Sequence, residues 1–275
     1  MSDQSIRARK LLCVGAHPDD CELQTSGLTA LWTASGGAAR FISMTDGGGG
    51  HQEFGGAKLV GMRRAEAHAG AASVGADSVV FDNPDGSLLP SLDNRNRVIR
   101  AVREFQPDIL ITHRTNDYHP DHRYTGVSVQ DACYMVMVPN VLPTVPVPDH
   151  EPVVLFMSDK FTRPYPFQPD LVFNLDPVIE KKLDAIASHW SQMSQWLPWI
   201  ERYEDELPTG EDKLREYVRG RAERRALAEA ERFREVLVAK YGNERGHNVR
   251  HAEAFEISEY AAALDEEKVA RLFPF

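Results

Sequence analysis

Two short stretches of this 275-residue chain combine histidine and aspartate in a pattern that suits metal chemistry. Residues 16–22 read Ala-His-Pro-Asp-Asp-Cys-Glu and residues 116–122 read Asn-Asp-Tyr-His-Pro-Asp-His, and each stretch follows an apolar run. Zinc is held by imidazole nitrogens and carboxylate oxygens, and a catalytic zinc site uses three protein ligands and leaves one position for water. His17, Asp20 and His122 supply such a set. The sequence therefore predicts one metal site.

Each motif alone also has a plain structural explanation. Aspartate at a strand-to-helix turn commonly caps the helix, which would account for Asp19 or Asp20. A surface loop would account for the histidines of the second motif. Both motifs, however, follow predicted strands, and ligands of open α/β sheets bind at the carboxyl ends of strands. The pair therefore favours the metal site. Cys21 is not needed as a ligand, because a soft thiolate adds little beside a His and Asp set.

The pair His-Pro-Asp-Asp-x-Glu and His-Pro-Asp-His resembles the LmbE-like (PIG-L) family of metal-dependent deacetylases, and the resemblance runs from Leu11 to about Gln192. It implies removal of the acetyl group from an N-acetylglucosamine-type substrate, a small-molecule N-acetylated amino-sugar conjugate, by a metal-activated water. The implied metal is Zn²⁺, and another divalent ion such as Fe²⁺ is left open. Two alternatives stay open: another metal-dependent amidase, such as a thiol-conjugate amidase, and a carbohydrate- or metal-binding relative without turnover.

The resemblance also implies roles for residues beside the ligands. Asp19 is adjacent to the ligands without being needed as one, and it matches the family's general base. His119 matches an imidazolium that stabilises negative charge on the acetyl oxygen, and Asp121 is expected to orient that ring. Tyr118 lies one residue from a functional tyrosine of some relatives. Asp117 stands at that position here, so the tyrosine's role is not carried over.

Two more residues match family positions that contact the substrate. Arg63 matches the arginine of an Arg-x-x-Glu pattern near the substrate, although a helix-surface pair with Glu66, three residues on, explains it equally well. Asp85 matches a position that contacts sugar hydroxyls, and a Pro-Asp-Gly turn explains it almost as well. We therefore expect Arg63 and Asp85 to bind substrate.

Strand and helix patterns alternate along the first half of the chain, which predicts right-handed βαβ units and a parallel sheet. Together with the resemblance, this predicts an α/β fold with a Rossmann-like, mostly parallel sheet flanked by helices. Strands are expected near 11–16, 39–44, 78–81, 108–113, 153–157 and 171–176, and helices near 22–35, 57–74 and 92–104. We expect a single domain over residues 1–275, with a core at about 11–195 and a C-terminal helical extension at about 196–275.

Two loops are expected to border the site, and the C-terminal part is expected to be mostly helical. The glycine-rich loop at 46–56 lacks the pattern of a phosphate loop, and the proline-rich segment at 139–152 has too many prolines for a helix or central strand. One long charged helix is predicted at 211–241, followed by an edge strand at 252–257.

The composition limits the classes of partner that the protein is expected to bind. Lys and Arg number 31 against 41 Asp and Glu, a net charge of −10 that opposes binding to nucleic acid. No apolar run approaches the ~20 residues that span a membrane, and no secretory leader precedes Arg7. Three cysteines without paired spacing favour reduced thiols. We expect a cytoplasmic protein, and a homo-oligomer is left open.

Overall fold

Seven strands form one sheet at the centre of the computed structural model, which describes residues 8–275. The strands are β1 (Lys10–Gly15), β2 (Ala38–Thr45), β3 (Ala76–Asn83), β4 (Ile109–Thr112), β5 (Val153–Met157), β6 (Leu171–Asn174) and β7 (Ala252–Ala261). Their order across the sheet is β3-β2-β1-β4-β5-β7-β6. The first five strands are parallel, and β7 runs antiparallel between β5 and β6. The predicted α/β fold with a mostly parallel sheet is confirmed.

Helices cover both faces of this sheet. They are α1 (Asp20–Ala34), α2 (Gly56–Ser73), α3 (Leu92–Phe105), α4 (Pro120–Val136), α5 (Ile179–Ala187), α6 (Leu197–Ile200), α7 (Glu211–Arg232), α8 (Arg234–Tyr241), α9 (Asn243–Asn248) and α10 (Glu266–Leu272). Leu28 and Trp32 of α1 belong to the core on one face, and Val98 of α3 and Val129 of α4 to the core on the other. Within residues 8–275, no helix is long and apolar enough to cross a membrane.

The two His/Asp motifs meet at the point where the chain changes direction across the sheet. From β1 the chain builds outward through β2 and β3, and it then returns to β4 on the other side of β1. β1 and β4 are paired and buried, with Val14 opposite Thr112 at their carboxyl ends. The connections after these two strands are therefore neighbours, at the kind of switch point where open α/β sheets bind ligands.

Two predictions for the C-terminal part are wrong in detail. The strand expected at an edge is β7, which lies inside the sheet and pairs its Phe255 with both Met157 and Leu171. Phe255 is fully buried, which an edge strand exposed to solvent does not require. The segment after residue 195 therefore supplies a strand to the one α/β domain. The single helix expected over 211–241 is two helices, interrupted at Phe233, whose ring packs against Phe167.

The proline-rich segment lies at the end of the sheet opposite to the one predicted. The 17 residues of α4 begin at the second His/Asp motif and span about 25 Å, so the chain that follows emerges at the amino ends of the strands. There His150 contacts the Pro107 carbonyl. The buried Arg103 guanidinium donates to main-chain carbonyls of this region, those of Met135, Val136, Val138, Val141, Leu142 and Val145. The segment is a structured connection away from the site.

A buried ion pair joins α1, α5 and β7. The Lys182 ammonium lies 2.6 Å from the Glu253 carboxylate, and the two residues are 2% and 5% exposed. Glu253 also accepts the N–H groups of Gly27 and Leu28, and Lys182 donates to the Leu23 carbonyl. The pair therefore satisfies main-chain groups in the middle of α1, the helix that begins at the first His/Asp motif.

Replacing Lys182 by methionine is expected to lower the free energy of unfolding by about 3–5 kcal/mol, because the Glu253 carboxylate would stay buried without its cation. Urea denaturation at neutral pH measures the change. Arg215→Met is the control, since it removes an exposed pair with Glu211 and should change stability little. Adding Glu253→Gln to the Lys182 variant should recover part of the loss. An equal, small effect of both single variants would show that the pair is not structural.

Candidate active site

His17, Asp20 and His122 converge at the carboxyl ends of β1 and β4. The distance from His17 Nδ1 to His122 Nε2 is 3.2 Å, and the Asp20 carboxylate oxygens lie 3.5 Å from each of these two nitrogens. Four-coordinate zinc with bonds of about 2.0–2.2 Å needs ligand atoms separated by roughly 3.3–3.5 Å. The three side chains expected to hold a metal are therefore close enough together, with Asp20 facing His17 through Oδ2 and His122 through Oδ1.

The loop after β1 is shaped by Asp20 itself. Its Oδ2 accepts the N–H groups of Ala16 and His17 at 2.9 and 2.8 Å, so the carboxylate closes the loop that carries the neighbouring histidine. A Cβ on Gly15 would lie 2.8 Å from the Asp20 Cβ, which is closer than real contacts allow. Asp19 does not cap the helix through its side chain, because it occupies the N-cap position but makes no side-chain capping bond.

Carboxylates lie behind the rings of the other two ligand candidates. His122 Nδ1 lies 3.1 Å from Asp117 Oδ1, and His17 Nε2 lies 3.3 Å from Asp85 and 3.4 Å from Asp121. Carboxylates in this position fix the ring orientation of metal-binding histidines. Although burial opposes it, these acids together with Asp20 raise the pKa of His17 well above its usual value. Metal binding at His17 would thus compete with a proton.

Sequence reasoning missed two members of the site. His113, directly after β4, lies 3.2 Å from Asp20 Oδ2 and stacks on the His122 ring, and burial lowers its pKa. Asp117 accepts from the main-chain N–H of His119 as well as contacting His122. The available signal was position, because His113 directly follows a buried strand and Asp117 lies within the second motif.

Three overlapping groups of His and Asp side chains within residues 8–275 have ligand atoms close enough together for a metal ion. They are His17, His119 and His122; Asp20, His113 and His122; and His17, Asp85 and Asp121. Each group contains His17 or His122. These two histidines are therefore the centre of the cluster, whichever third residue completes a ligand set.

The predicted base, Asp19, lines a cavity of about 560 Å³ beside these residues. It is 5% exposed, and burial followed by the charge of Asp20 raises the pKa of its carboxyl group. A raised pKa brings a carboxylate closer to the range in which it accepts and returns protons efficiently. The structure thus places Asp19 next to the ligand candidates and in contact with the cavity.

His119 also lines the cavity, but the structure does not favour the charged form expected from the sequence. Its Nδ1 accepts the N–H of Asp121 at 3.2 Å, which requires that this nitrogen carry no proton. Burial, together with His17 and His122, lowers the pKa of His119. The lowered pKa favours the uncharged ring, and Nε2 is the nitrogen that can donate a hydrogen bond into the cavity.

The Asp121 carboxylate has different partners from those expected. It accepts the N–H groups of Gly86 and Leu88 and lies 3.4 Å from His17 Nε2. Its contact with His119 is made by its own main-chain N–H. The prediction that its carboxylate orients His119 is therefore replaced by an observed contact with His17, because the turn that follows β3 brings Gly86 under the start of α4.

Arg63 and Asp85 both line the cavity. Arg63 is 2% exposed and donates to the Gly50 carbonyl, whereas Glu66 is bonded to Ser191, so the helix-surface pairing that competed as an explanation is not what Glu66 makes. Asp85 lies in a turn before Gly86, which has a positive φ of 78°, and accepts the N–H of Gly49. Asp85 therefore both belongs to the turn and lines the cavity, so the two explanations of this residue are compatible.

Of the two predicted rim loops, the glycine-rich one borders the cavity. Gly47, Gly49 and Gly50 line it together with Trp196, Leu197 and Ile200. A Cβ on Gly47, which has a φ of 67°, would lie 2.9 Å from Pro18 of the first motif. The close approach of this loop to the motif therefore depends on glycine.

Comparison with known proteins agrees with this geometry. Residues 12–133 match the PIG-L family, described as GlcNAc-PI de-N-acetylase. Diacetylchitobiose deacetylase of Thermococcus kodakarensis is 26% identical over 203 residues, which cover 70% of this chain and 75% of that protein. The 4-oxalmesaconate hydratase of Pseudomonas putida is 26% identical over 196 residues, 68% of this chain and 76% of that one.

A solved structure shares the fold. That of N,N'-diacetylchitobiose deacetylase from Pyrococcus horikoshii aligns with a TM-score of 0.68 and 22% identity, over 92% of this chain and 84% of that one. The matched segment 12–133 holds both His/Asp motifs. The part of the chain that is similar to the PIG-L (LmbE-like) family is therefore the part that forms the site.

Proposed function

We propose that this protein is a zinc-dependent hydrolase that removes the acetyl group from an N-acetylglucosamine-type substrate. The observation that carries the proposal is the convergence of His17, Asp20 and His122, at 3.2–3.5 Å from one another, beside a cavity that Asp19 and His119 line. The deacetylases among the relatives support the choice of reaction.

The donor set fits zinc. Two imidazole nitrogens and one carboxylate oxygen are ligands that zinc accepts, and carboxylates stand behind both rings. The same donors suit another divalent ion such as Fe²⁺. A divalent metal held there would supply Lewis acidity, lowering the pKa of a coordinated water and polarising the acetyl carbonyl.

Asp19 would move the proton that the reaction requires. Hydrolysis places the water oxygen on the acetyl carbon, breaks the bond from that carbon to nitrogen, and leaves a free amine and acetate. The Asp19 carboxylate accepts a proton from the attacking water and returns it to the departing nitrogen. Its buried position keeps bulk water from competing for that proton.

His119 would stabilise the acetyl oxygen as negative charge develops on it. The Nε2–H group is the donor, because Nδ1 is occupied as an acceptor. A donor held rigidly at the point where charge forms is typically worth about 10²–10³-fold in rate. Arg63 and Asp85, on the cavity wall, would bind hydroxyl groups of the sugar.

The charge of His119 gives a prediction. His119→Ala should lower the rate by about 10²–10³-fold, whereas His119→Gln, which keeps an uncharged N–H donor, should retain more of it. Since the pKa of His119 is lowered, the wild-type rate should not fall as pH rises through about 6.5, the ordinary histidine value. The pH profiles of the three proteins measure this. A wild-type rate that falls in that range, with a flat profile for His119→Gln, would instead show a catalytic imidazolium.

The proposal predicts a cytoplasmic enzyme. Cys13, Cys21 and Cys133 are free and buried, as is usual for proteins of a reducing compartment. The acidic net charge of −10 favours a small-molecule substrate over nucleic acid.

The test of the proposal is product analysis with metal-stripped and zinc-restored protein. N-acetylglucosamine and its conjugates are supplied, and acetate and free amine are measured. Equal amounts of both, present only after zinc is restored, support deacetylation. Because one relative is named a hydratase, an unsaturated dicarboxylic acid is tested in parallel. Addition of water to that acid, without acetate release from any conjugate, would replace the proposal by a hydratase activity.

A further inference from the structure

One wall of the active-site cavity is apolar and comes from a single short segment. Trp196, Leu197 and Ile200 line the cavity together with Gln192 and Glu201. We call Trp196, Leu197 and Ile200 the apolar wall. Ile200 is 46% exposed and adds accessible apolar surface to this wall. Other residues that line the cavity are polar, Asp19 and Asp85 among them.

The segment owes its shape to a π-helical turn over Gln192–Trp196. The Leu197 N–H bonds to the Gln192 carbonyl five residues back, and the next residue, Pro198, has no N–H to continue a regular helix. Met193 and Ser194 are buried beneath the turn and anchor it. Single π-helical turns are rare and are often found at functional sites, where they redirect side chains.

Contacts on several sides hold Trp196 in place before any ligand binds. Its ring stacks on Trp199 with centroids 5.4 Å apart and an interplanar angle of 22°. A Cβ on Gly50 would lie 3.3 Å from its indole nitrogen, so the glycine-rich loop packs closely against it. His51 of the same loop bonds to Gln195 at 2.8 Å. The wall is therefore preformed.

The carboxylate beside the apolar wall already has a cationic partner. Glu201, at the end of the segment, pairs with Arg221 at 2.5 Å. A ligand group against this wall would meet an indole, two aliphatic side chains and a neutralised carboxylate. Such a surface favours an uncharged group with an apolar face, and it would penalise a charged group that lost its water.

We propose that the apolar wall is the binding site for the aglycone of the substrate, and that it selects an uncharged aglycone with an apolar face. Two sources have this chemistry: an alkyl or aryl group, and the C–H face of a second sugar ring. The assignment rests on the proposed function for the acetylated sugar at the metal end of the cavity. The wall itself is a property of the segment Gln192–Glu201.

Binding without turnover tests this. The purified, zinc-loaded protein is titrated calorimetrically with methyl, hexyl and phenyl β-glucosides and with cellobiose, none of which has an acetyl group to lose. The hexyl or phenyl glucoside, or cellobiose, should bind about tenfold or more tightly than the methyl glucoside, as burial of several carbon atoms implies. Trp196→Ala should reduce this preference to less than about threefold, a loss of most of that burial.

Two further variants make the result specific. Ile200→Ser changes a half-exposed side chain and should also weaken the preference without affecting folding. Tyr134→Ala, on the outer face of α4, removes an aromatic ring that is 74% exposed and should leave the preference unchanged.

The outcomes separate the two sources and the two proposals. A preference for cellobiose identifies a second sugar, and a preference confined to the hexyl and phenyl glucosides identifies an alkyl or aryl aglycone. Equal binding of all four probes, or a preference that survives both Trp196→Ala and Ile200→Ser, would overturn the assignment. If the binding preference is found but no conjugate releases acetate, the apolar wall is supported as a binding site and the proposed reaction is refuted.

Discussion

Asp19→Asn is expected to keep the metal and to lower the deacetylation rate by about 10²–10⁴-fold, the usual contribution of a positioned acid or base. Asparagine has nearly the same shape as aspartate but cannot accept a proton. Asp19 makes no side-chain capping bond, so the exchange should leave α1 in place. Steady-state rates and metal content, measured on the same preparation, check both parts of the prediction.

The same variant has a second signature, in stability. The folded protein raises the pKa of Asp19, so over the pH range between the ordinary and the raised value it binds more protons than the unfolded chain. The free energy of unfolding therefore falls as pH rises through that range. In metal-free protein, Asp19→Asn should remove this pH dependence. It should also raise the melting temperature at pH values above that range. If Asp19→Asn lowers the rate but does not raise the melting temperature, burial of the Asp19 carboxylate does not destabilise the folded protein.

The role of Asp19 as a base also predicts an acid limb in the pH profile. Asp19 works as a base only when it is ionised, so the wild-type rate should fall at acid pH as its carboxylate becomes protonated. Asp19→Asn should lack this limb. A near-wild-type rate for Asp19→Asn would remove Asp19 from the mechanism, whatever the metal content.

Asp20→Asn is expected to lose the metal. The exchange replaces an anionic oxygen by a neutral amide at one of three converging ligand positions, and it also weakens an acceptor for the N–H groups of Ala16 and His17. The affinity for zinc should fall by more than the roughly 10–100-fold that follows loss of a residue behind a ligand. Competition with a chromogenic chelator measures it.

A graded series makes the assignment specific. Asp117→Asn, behind His122, should lower zinc affinity by about 10–100-fold, and Asp19→Asn should leave it close to wild type. The expected order of metal loss is therefore Asp20, Asp117 and Asp19, although the three exchanges are chemically identical. Equal zinc affinity in all three variants would contradict the ligand set of His17, Asp20 and His122.

The sequence was sufficient to predict that the two motifs lie close together. Both follow buried parallel strands, and neighbouring strand ends share one edge of the sheet. It did not reveal that His113 and Asp117 join them. Both roles depend on three-dimensional distance: His113 reaches Asp20, and Asp117 reaches His122, across turns whose path has no sequence signal.

The residue pattern was a poor guide to the protonation of His119 and to the place of the proline-rich segment, for different reasons. The protonation of His119 depends on one main-chain N–H, that of Asp121, and no residue pattern predicts that contact. The proline-rich segment, by contrast, follows a helix of 17 residues that starts at the site. A helix of that length crosses the sheet, so counting residues would have placed the segment at the far end.

The internal position of β7 was also beyond the residue pattern. Ala252–Ala261 ends an otherwise helical region, and a lone C-terminal strand is naturally placed at an edge. Its insertion between β5 and β6 is stabilised by Phe255 in the core and by Glu253 paired with Lys182, contacts with residues more than 70 positions away in the chain.

The central claim is that a metal-activated water cleaves an acetyl amide at this site, and one measurement addresses it most directly. Zinc-restored protein is supplied with an N-acetylglucosamine conjugate in ¹⁸O-labelled water, and the acetate and amine are analysed by mass spectrometry. We expect one ¹⁸O atom in each acetate, one amine released for each acetate, and no product from the metal-stripped protein. Full occupancy of zinc at His17, Asp20 and His122 with no labelled acetate from any conjugate would contradict it.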